Sequence, residues 1–277
     1  MTDQLPATVL PGTLALKADI RLVPGLIADL GEQAPGSQAN RGPKKQGQVT
    51  CMFSVIFEVN PKVGQWDAYL GYAKLLRPEL VQIDGFIDNF RYVSKRRDGW
   101  VLSLSTWRDE KALVRWRTHV AHHKVQEKGR FEVFHDYHLR VGQVTADSRV
   151  PDGYVWREQR LDETETGASK AISIIEAKRP SDLPERATAE EVASRLGLPA
   201  AADGLVEWDV FDAILTPGDL LLLLSWRDAA AAEAGEREAT ISDGARVRRV
   251  RVVRDYGMFE RREAPQFYSE VRRCQVN

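Results

Sequence analysis

The chain is poor in cysteine, has no long apolar run and carries no surplus of charge. Cys51 and Cys274 are its two cysteines, too few and too far apart for a disulfide scaffold or a Cys-x-x-Cys site, and they fit a reduced cytoplasm. The longest aliphatic run, Leu220–Leu224, falls far short of the roughly 20 residues that span a bilayer. No basic stretch followed by an apolar one opens the chain, so no secretory signal is expected. The 39 Lys and Arg against 40 Asp and Glu give a net charge of −1, with no positive field to release counterions from nucleic acid. No Gly-x-Gly-x-x-Gly run follows a strand and no P-loop is present, so nothing implies flavin or nicotinamide. What remains is 277 residues, 43% apolar and 29% charged. Such a chain reads as a soluble cytoplasmic protein of one large domain or two small ones, partnered by neither nucleic acid nor membrane.

The sequence does have an internal repeat. Positions 119 apart match at Ser54 and Ser173, Pro61 and Pro180, Asp84-Gly85 and Asp203-Gly204, and Gly99 and Gly218. They match again at Trp107-Arg108-Asp109 and Trp226-Arg227-Asp228, and at Asp136-Tyr137 and Asp255-Tyr256. From 54 to 137 there are 17 identities in 84 positions without a gap, where ordinary composition gives about 5. The organisation expected is an N-terminal arm and linker over 1–50, a first unit over 51–145, a linker over 146–168, a second unit over 169–260 and a tail over 261–277.

Each unit reads as β-α-β-β-α-β, the ferredoxin-like order. In the first, Met52–Val59 is a strand stopped at Asn60-Pro61, and Trp66, Leu70, Ala73, Leu76 and Leu80 fall on one helix face. Phe86–Ser94 and Trp100–Trp107 flank a turn ending in Asp98-Gly99, a hairpin. Asp109 caps a second helix with Ala112, Leu113, Trp116 and Val120 on one face, and Phe131–Val144 forms a long final strand. The second unit repeats this with strands at 171–177 and 247–258, a helix opened by Thr188-Ala-Glu-Glu191, a turn at Thr216-Pro-Gly-Asp219 and a short helix near 228–239. Tyr154-Val-Trp156 in the linker would add an edge strand or pack over the barrel. A four-stranded sheet with helices on one face leaves the other bare. The fold class expected is therefore α+β, two tandem units packed sheet to sheet as an α/β barrel within one chain, a pseudo-dimer to which a further homodimer could be added.

The segments Gly85-Phe-Ile-Asp-Asn89 and Ser103-Leu-Ser-Thr-Trp-Arg-Asp-Glu-Lys-Ala112, with Trp116-Arg117, His119, His122-His123, Gly129-Arg130 and Asp136-Tyr137, resemble the antibiotic biosynthesis monooxygenase domain. The resemblance covers nearly the whole first unit. It is fainter in the second, where Gly235, Glu238, Ile241 and Ser242 replace Trp116, His119, His122 and His123. It implies a dimeric α/β barrel with a pocket between sheet and helices. It also implies relatives that oxygenate electron-rich phenols and quinols without a cofactor, or that bind and degrade haem.

The candidate site lies in the first unit. His119, His122 and His123 crowd the end of the second helix, with His119 and His123 sharing a face. They read as structural or solvent-facing histidines, as a base, or as ligands to a metal or haem iron. His122 or His123 as base beside a Trp116 wall suits proton abstraction from a small aromatic substrate that then reacts with molecular oxygen. Asn89 and Arg91 alternate on a strand with Ile87 and could hold the negative charge that develops. Tyr137 either closes the strand structurally or turns its hydroxyl into the pocket, with His119 as a further contact. Arg130 reads as a surface or barrel-end charge, and Arg246–Arg254 as a solvated strand face. No cofactor is expected under the oxygenase reading. The alternatives are haem, with His123 and Trp116 against it, and a non-catalytic binding module.

Overall fold

The computed structural model describes residues 48–150 and 154–271; the expected arm over 1–47 lies outside them. Short β1 (Gln48–Thr50) precedes the first unit, which runs β2 (Phe53–Pro61), α1 (Trp66–Leu80), β3 (Phe86–Ser94), β4 (Val101–Trp107), α2 (Glu110–Arg117), α3 (Val120–Lys128) and β5 (Phe134–Asp147). After β6 (Tyr154–Trp156), the second unit runs β7 (Ala171–Lys178), α4 (Ala189–Leu196), β8 (Leu205–Ala213), β9 (Asp219–Trp226), α5 (Ala229–Glu238) and β10 (Arg246–Gly257).

Eight strands close an antiparallel barrel in the order β10-β5-β2-β4-β3-β8-β9-β7. Each unit supplies four, and the edges of the two sheets zip together. The β5–β10 seam runs from Arg248 opposite Asp147 to Gly257 opposite His138. The shorter β3–β8 seam pairs Tyr92, Val93 and Ser94 with Ala213, Asp212 and Phe211. Closure removes the exposed edges and buries the inward faces on each other. Ile56, Leu102, Ile172, Phe211, Leu223 and Val250 are at or near zero exposure there. The interior also holds Glu58, whose carboxyl is raised by burial but held below its ordinary range by Arg140 and Arg97, with both of which it pairs. The helices coat the outside.

The identities that reveal the repeat are contacts of the fold. Gly85 and Gly204 both adopt positive φ, and a Cβ on either would lie 2.6 Å from Ala112 or Ala231, also a repeated pair. Asp109 and Asp228 accept the backbone N–H of Ala112 and Ala231, each at 2.8 Å, as N-caps. Thr188 and Glu191 form the expected capping box.

Several local expectations are corrected. The second helix is two helices, because His119 is extended (ψ 131°) between them and Thr118 bonds back to the Val114 carbonyl; Val120 is exposed rather than on the apolar face. Residues 129–133 form a π-helical turn, and the last strand begins at Phe134. The alternating apolar residues there imitate a strand, but Val133 is buried beneath α1 and the Arg130 guanidinium needs the turn to reach its partners. Arg130 is therefore not a surface charge: it is 2% exposed. The arginines of β10 are not a solvated face either. Arg248 lies inside the barrel on Glu176 and Thr106, and Arg246, Arg249 and Arg251 pair with Asp147, Glu236 and Glu158. Tyr154–Trp156 pairs in parallel with Gln48–Thr50, forming a separate two-stranded ribbon.

Candidate active site

Between the outer face of the first unit's sheet and α1–α3 lies a cavity of about 230 Å³. Strand alternation decides which residues reach it, since every second side chain of β2, β4 and β5 faces the helices. Phe57, Leu76, Leu113, Phe134 and Leu139 make much of the wall apolar. Asn89, Arg91, Trp116, His122 and Tyr137 line it; His119 and His123 do not.

The three histidines are separated by the helix break. His119 Nδ1 sits 3.2 Å from Glu79 Oε2 on α1. His123 is exposed and its Nδ1 is 3.3 Å from the Tyr268 hydroxyl, which places it outside the cavity. His119 lies outside any helix, so the two cannot present a shared helical face to a metal. Among the described residues no group of three His, Cys, Asp or Glu side chains could hold one.

His122 is positioned differently. Its ring stacks on Trp116 with centroids 4.3 Å apart and planes 15° from parallel. Its Nδ1 lies 2.9 Å from the Trp116 carbonyl oxygen. A carbonyl only accepts, so Nδ1 carries the proton and Nε2 keeps its lone pair. Burial, with a smaller push from the neighbouring histidines, brings its pKa down from 6.5 to about 4 against the opposing carbonyl bond. At neutral pH the side chain is thus an uncharged acceptor in one defined tautomer.

Asn89 differs from expectation. Its Nδ2 donates to Ser103 Oγ at 3.0 Å and to the Leu104 carbonyl at 3.3 Å. Both amide hydrogens are therefore engaged, and what it can offer a ligand is its carbonyl oxygen, an acceptor, not a hold on an anion. Arg91 keeps its capacity, since its Nε is buried without a hydrogen-bond partner. Ile87 does not share their face: it is the extra residue at a bulge between Phe86 and Asp88 and is 38% exposed. The Tyr137 hydroxyl accepts from Arg261 Nη1 at 2.7 Å and Arg130 Nη1 at 3.2 Å. Trp107 also reaches the cavity while donating to Ser105 Oγ at 2.9 Å.

A whole wall escaped the sequence reading. Arg254 and Tyr256 of β10, with Arg261, Pro265, Gln266 and Tyr268 of the tail, line the first unit's cavity. The register shifts between Val252 and Arg254. Such a bulge reverses which side the following residues face, so Val252 lies inside the barrel whereas Arg254 and Tyr256 face outward into the neighbouring unit's pocket. Gln266 fastens the tail to the first unit by donating to the Arg117 carbonyl and Gln126 Oε1, each at 3.2 Å. The strongest sequence signal available was the Arg-Val-Val-Arg-Asp-Tyr pattern, whose alternation slips at Val252-Val253.

Of the two residues named for the haem alternative, Trp116 lines the cavity and His123 lies outside it.

Comparison with known proteins places these features in context. Residues 52–128 match the model of the family described as antibiotic biosynthesis monooxygenase. A jasmonate monooxygenase of Pyricularia oryzae is 49% identical over 222 residues, spanning 78% of this chain and 98% of that protein. Among solved structures, an aldoxime dehydratase in complex with butyraldoxime is 11% identical, with a TM-score of 0.44, covering 73% of this chain and 79% of its own. An anthrone oxidase-like protein is 12% identical, with a TM-score of 0.26, covering 78% and 97%. The two structural likenesses are too distant to bear on the chemistry.

Proposed function

Because this chain belongs to the antibiotic biosynthesis monooxygenase family, we propose that its first unit oxygenates a small molecule in the cavity, with His122 as the base. The observation that carries this reading is the single tautomer imposed by the Trp116 carbonyl, which leaves Nε2 unprotonated on a side chain that lines the largely apolar cavity. A substrate carbon made acidic by an adjacent carbonyl or phenol gives its proton to Nε2. The carbanion adds to molecular oxygen, forming a C–O bond and a peroxide anion. The imidazolium returns a proton, and loss of water by O–O cleavage leaves a new carbonyl, so that CH2 plus O2 yields C=O plus H2O. All electrons come from the substrate, and no cofactor enters the balance.

Burial disfavours an imidazolium in the empty cavity, so the proton transfer depends on the nascent anion staying beside it. Arg91, with its unspent donor, is the group placed to balance that negative charge. Trp116 holds the imidazole in register.

Jasmonate is the first substrate to test, since the relative that is 49% identical is named for it. Electron-rich phenols and quinols are the second reading, supported by the aromatic wall of Phe57, Trp116, Phe134 and Tyr137. Substitution His122→Gln should lower kcat by at least ~100-fold with little change in binding, measured as product formed and oxygen consumed. His123→Gln should change neither. Equal losses in both variants would remove His122 from the chemistry.

A further inference from the structure

The cavity is unbalanced in charge. Of the groups lining it, Arg91, Arg117, Arg254 and Arg261 are cations, and Glu110 is the one carboxylate among the described lining residues. Glu110 is itself paired with Arg160 at 2.6 Å. Arg261 is occupied by the Tyr137 hydroxyl and the Gln266 carbonyl. Arg117 and Arg254 are not comparably used. Arg117 Nε is buried without a hydrogen-bond partner, and the contact from Arg254 to the Glu263 carbonyl is long, at 3.5 Å. Both sit near Tyr256, since each favours its ionised form, although burial wins and pushes that phenol up to about 12.

Two partly buried guanidiniums with spare donors beside an apolar wall are costly unless an anion completes them. Arginine presents a planar fork matched to a carboxylate. We propose that the cavity takes an apolar molecule bearing a carboxylate, and that this acid group is gripped jointly by Arg117 of the first unit and Arg254 of the second. This rests on the cavity being the substrate site, as in the reading above, and adds the substrate's charge class and the residues that read it. The second unit, without a base of its own, thereby supplies half of the recognition. The bulge before Arg254 is the structural means, because unbroken alternation would turn that side chain into the barrel.

The probes are 2-naphthylacetate, its methyl ester and 2-naphthol, titrated calorimetrically into the full chain at low salt. The acid should bind at least ~10-fold more tightly than the ester and lose that margin as salt rises. Arg117→Gln and Arg254→Gln should each weaken the acid about 10-fold, leave the ester unchanged, and keep the wild-type melting temperature within a few degrees. Equal binding of acid and ester by the wild-type protein overturns the clamp with no variant needed, and leaves the cavity standing as a binding site. Tightest binding of 2-naphthol also overturns it, in favour of a neutral phenol. Failure of all three to bind overturns the cavity as a substrate site, and the clamp with it.

Discussion

The two units share an architecture and differ in what fills the space between helix and sheet. In the first, Trp116 and His122 lean over a cavity. In the second, the position matching Trp116 is Gly235, and a Cβ there would lie 2.1 Å from the ring of Trp226. The short alanine-rich helix α5 therefore rests directly on that tryptophan. Ile175, Val192, Leu196, Leu222 and Trp226, all fully buried, close the layer into continuous core. The collapsed unit has lost its room, but its last strand and the tail beyond it still build a wall of the other unit's cavity. Duplication thus separates two tasks that an identical pair would have to perform twice.

The largest effect that sharpens this contrast concerns pH. His122 titrates near 4 in the folded chain against 6.5 when free. Above 6.5 both states are neutral and nothing is lost; as pH falls from 6.5 through 4 the unfolded chain takes up the proton first, and stability declines by up to about 3 kcal/mol. Carboxylates held below their ordinary range weaken both proteins as pH falls, so urea melts of wild type and His122→Gln at pH 7 and pH 4 should show wild type losing about 3 kcal/mol more than the variant. Activity should stay level down to about pH 5 and fall on an acid limb near 4; a limb near 6.5 would show an unburied base.

Next in size is Gly235→Ala. It pushes a methyl into Trp226 and should cost roughly 1–3 kcal/mol of stability by urea unfolding, with kcat unchanged in the first unit. If activity falls in step with stability, the two units are less independent than their cores suggest. The smallest contrast is between the repeated caps. Asp109→Ala and Asp228→Ala each remove one side-chain bond of 2.8 Å to a helix N-terminus, and each should cost about 1 kcal/mol. The former should also lower activity, because α2 ends at Arg117, beside the cavity.

Particular residues show why some of this was legible beforehand. The Gly85–Ala112 and Gly204–Ala231 contacts and the two aspartate caps are local in each unit and recur at one spacing, so a single sequence compared with itself exposes them. Trp116 and His122 came from the resemblance of the first unit to the family and Arg91 from its alternation with Asn89, whereas Tyr137 recurs as Tyr256. Nothing local marks Arg130 as buried, because its partners, the Met258 carbonyl and the Tyr137 hydroxyl, include one 128 residues away. The π-helical turn mimics a strand because its apolar residues alternate. Arg254 and Tyr256 were invisible because one extra residue in a strand changes the face of everything after it, and composition carries no record of the register.

Taken alone, the chain's order of residues specified two copies of one β-α-β-β-α-β unit and set the first apart by its Trp116 and its histidines, since periodicity, caps and repeats act over a few neighbouring residues. Closure of the barrel determined which of three adjacent histidines meets the cavity, which tautomer it holds and which distant arginines face it. Those outcomes depend on burial and on pairing between strands over a hundred residues apart, and no local pattern encodes them.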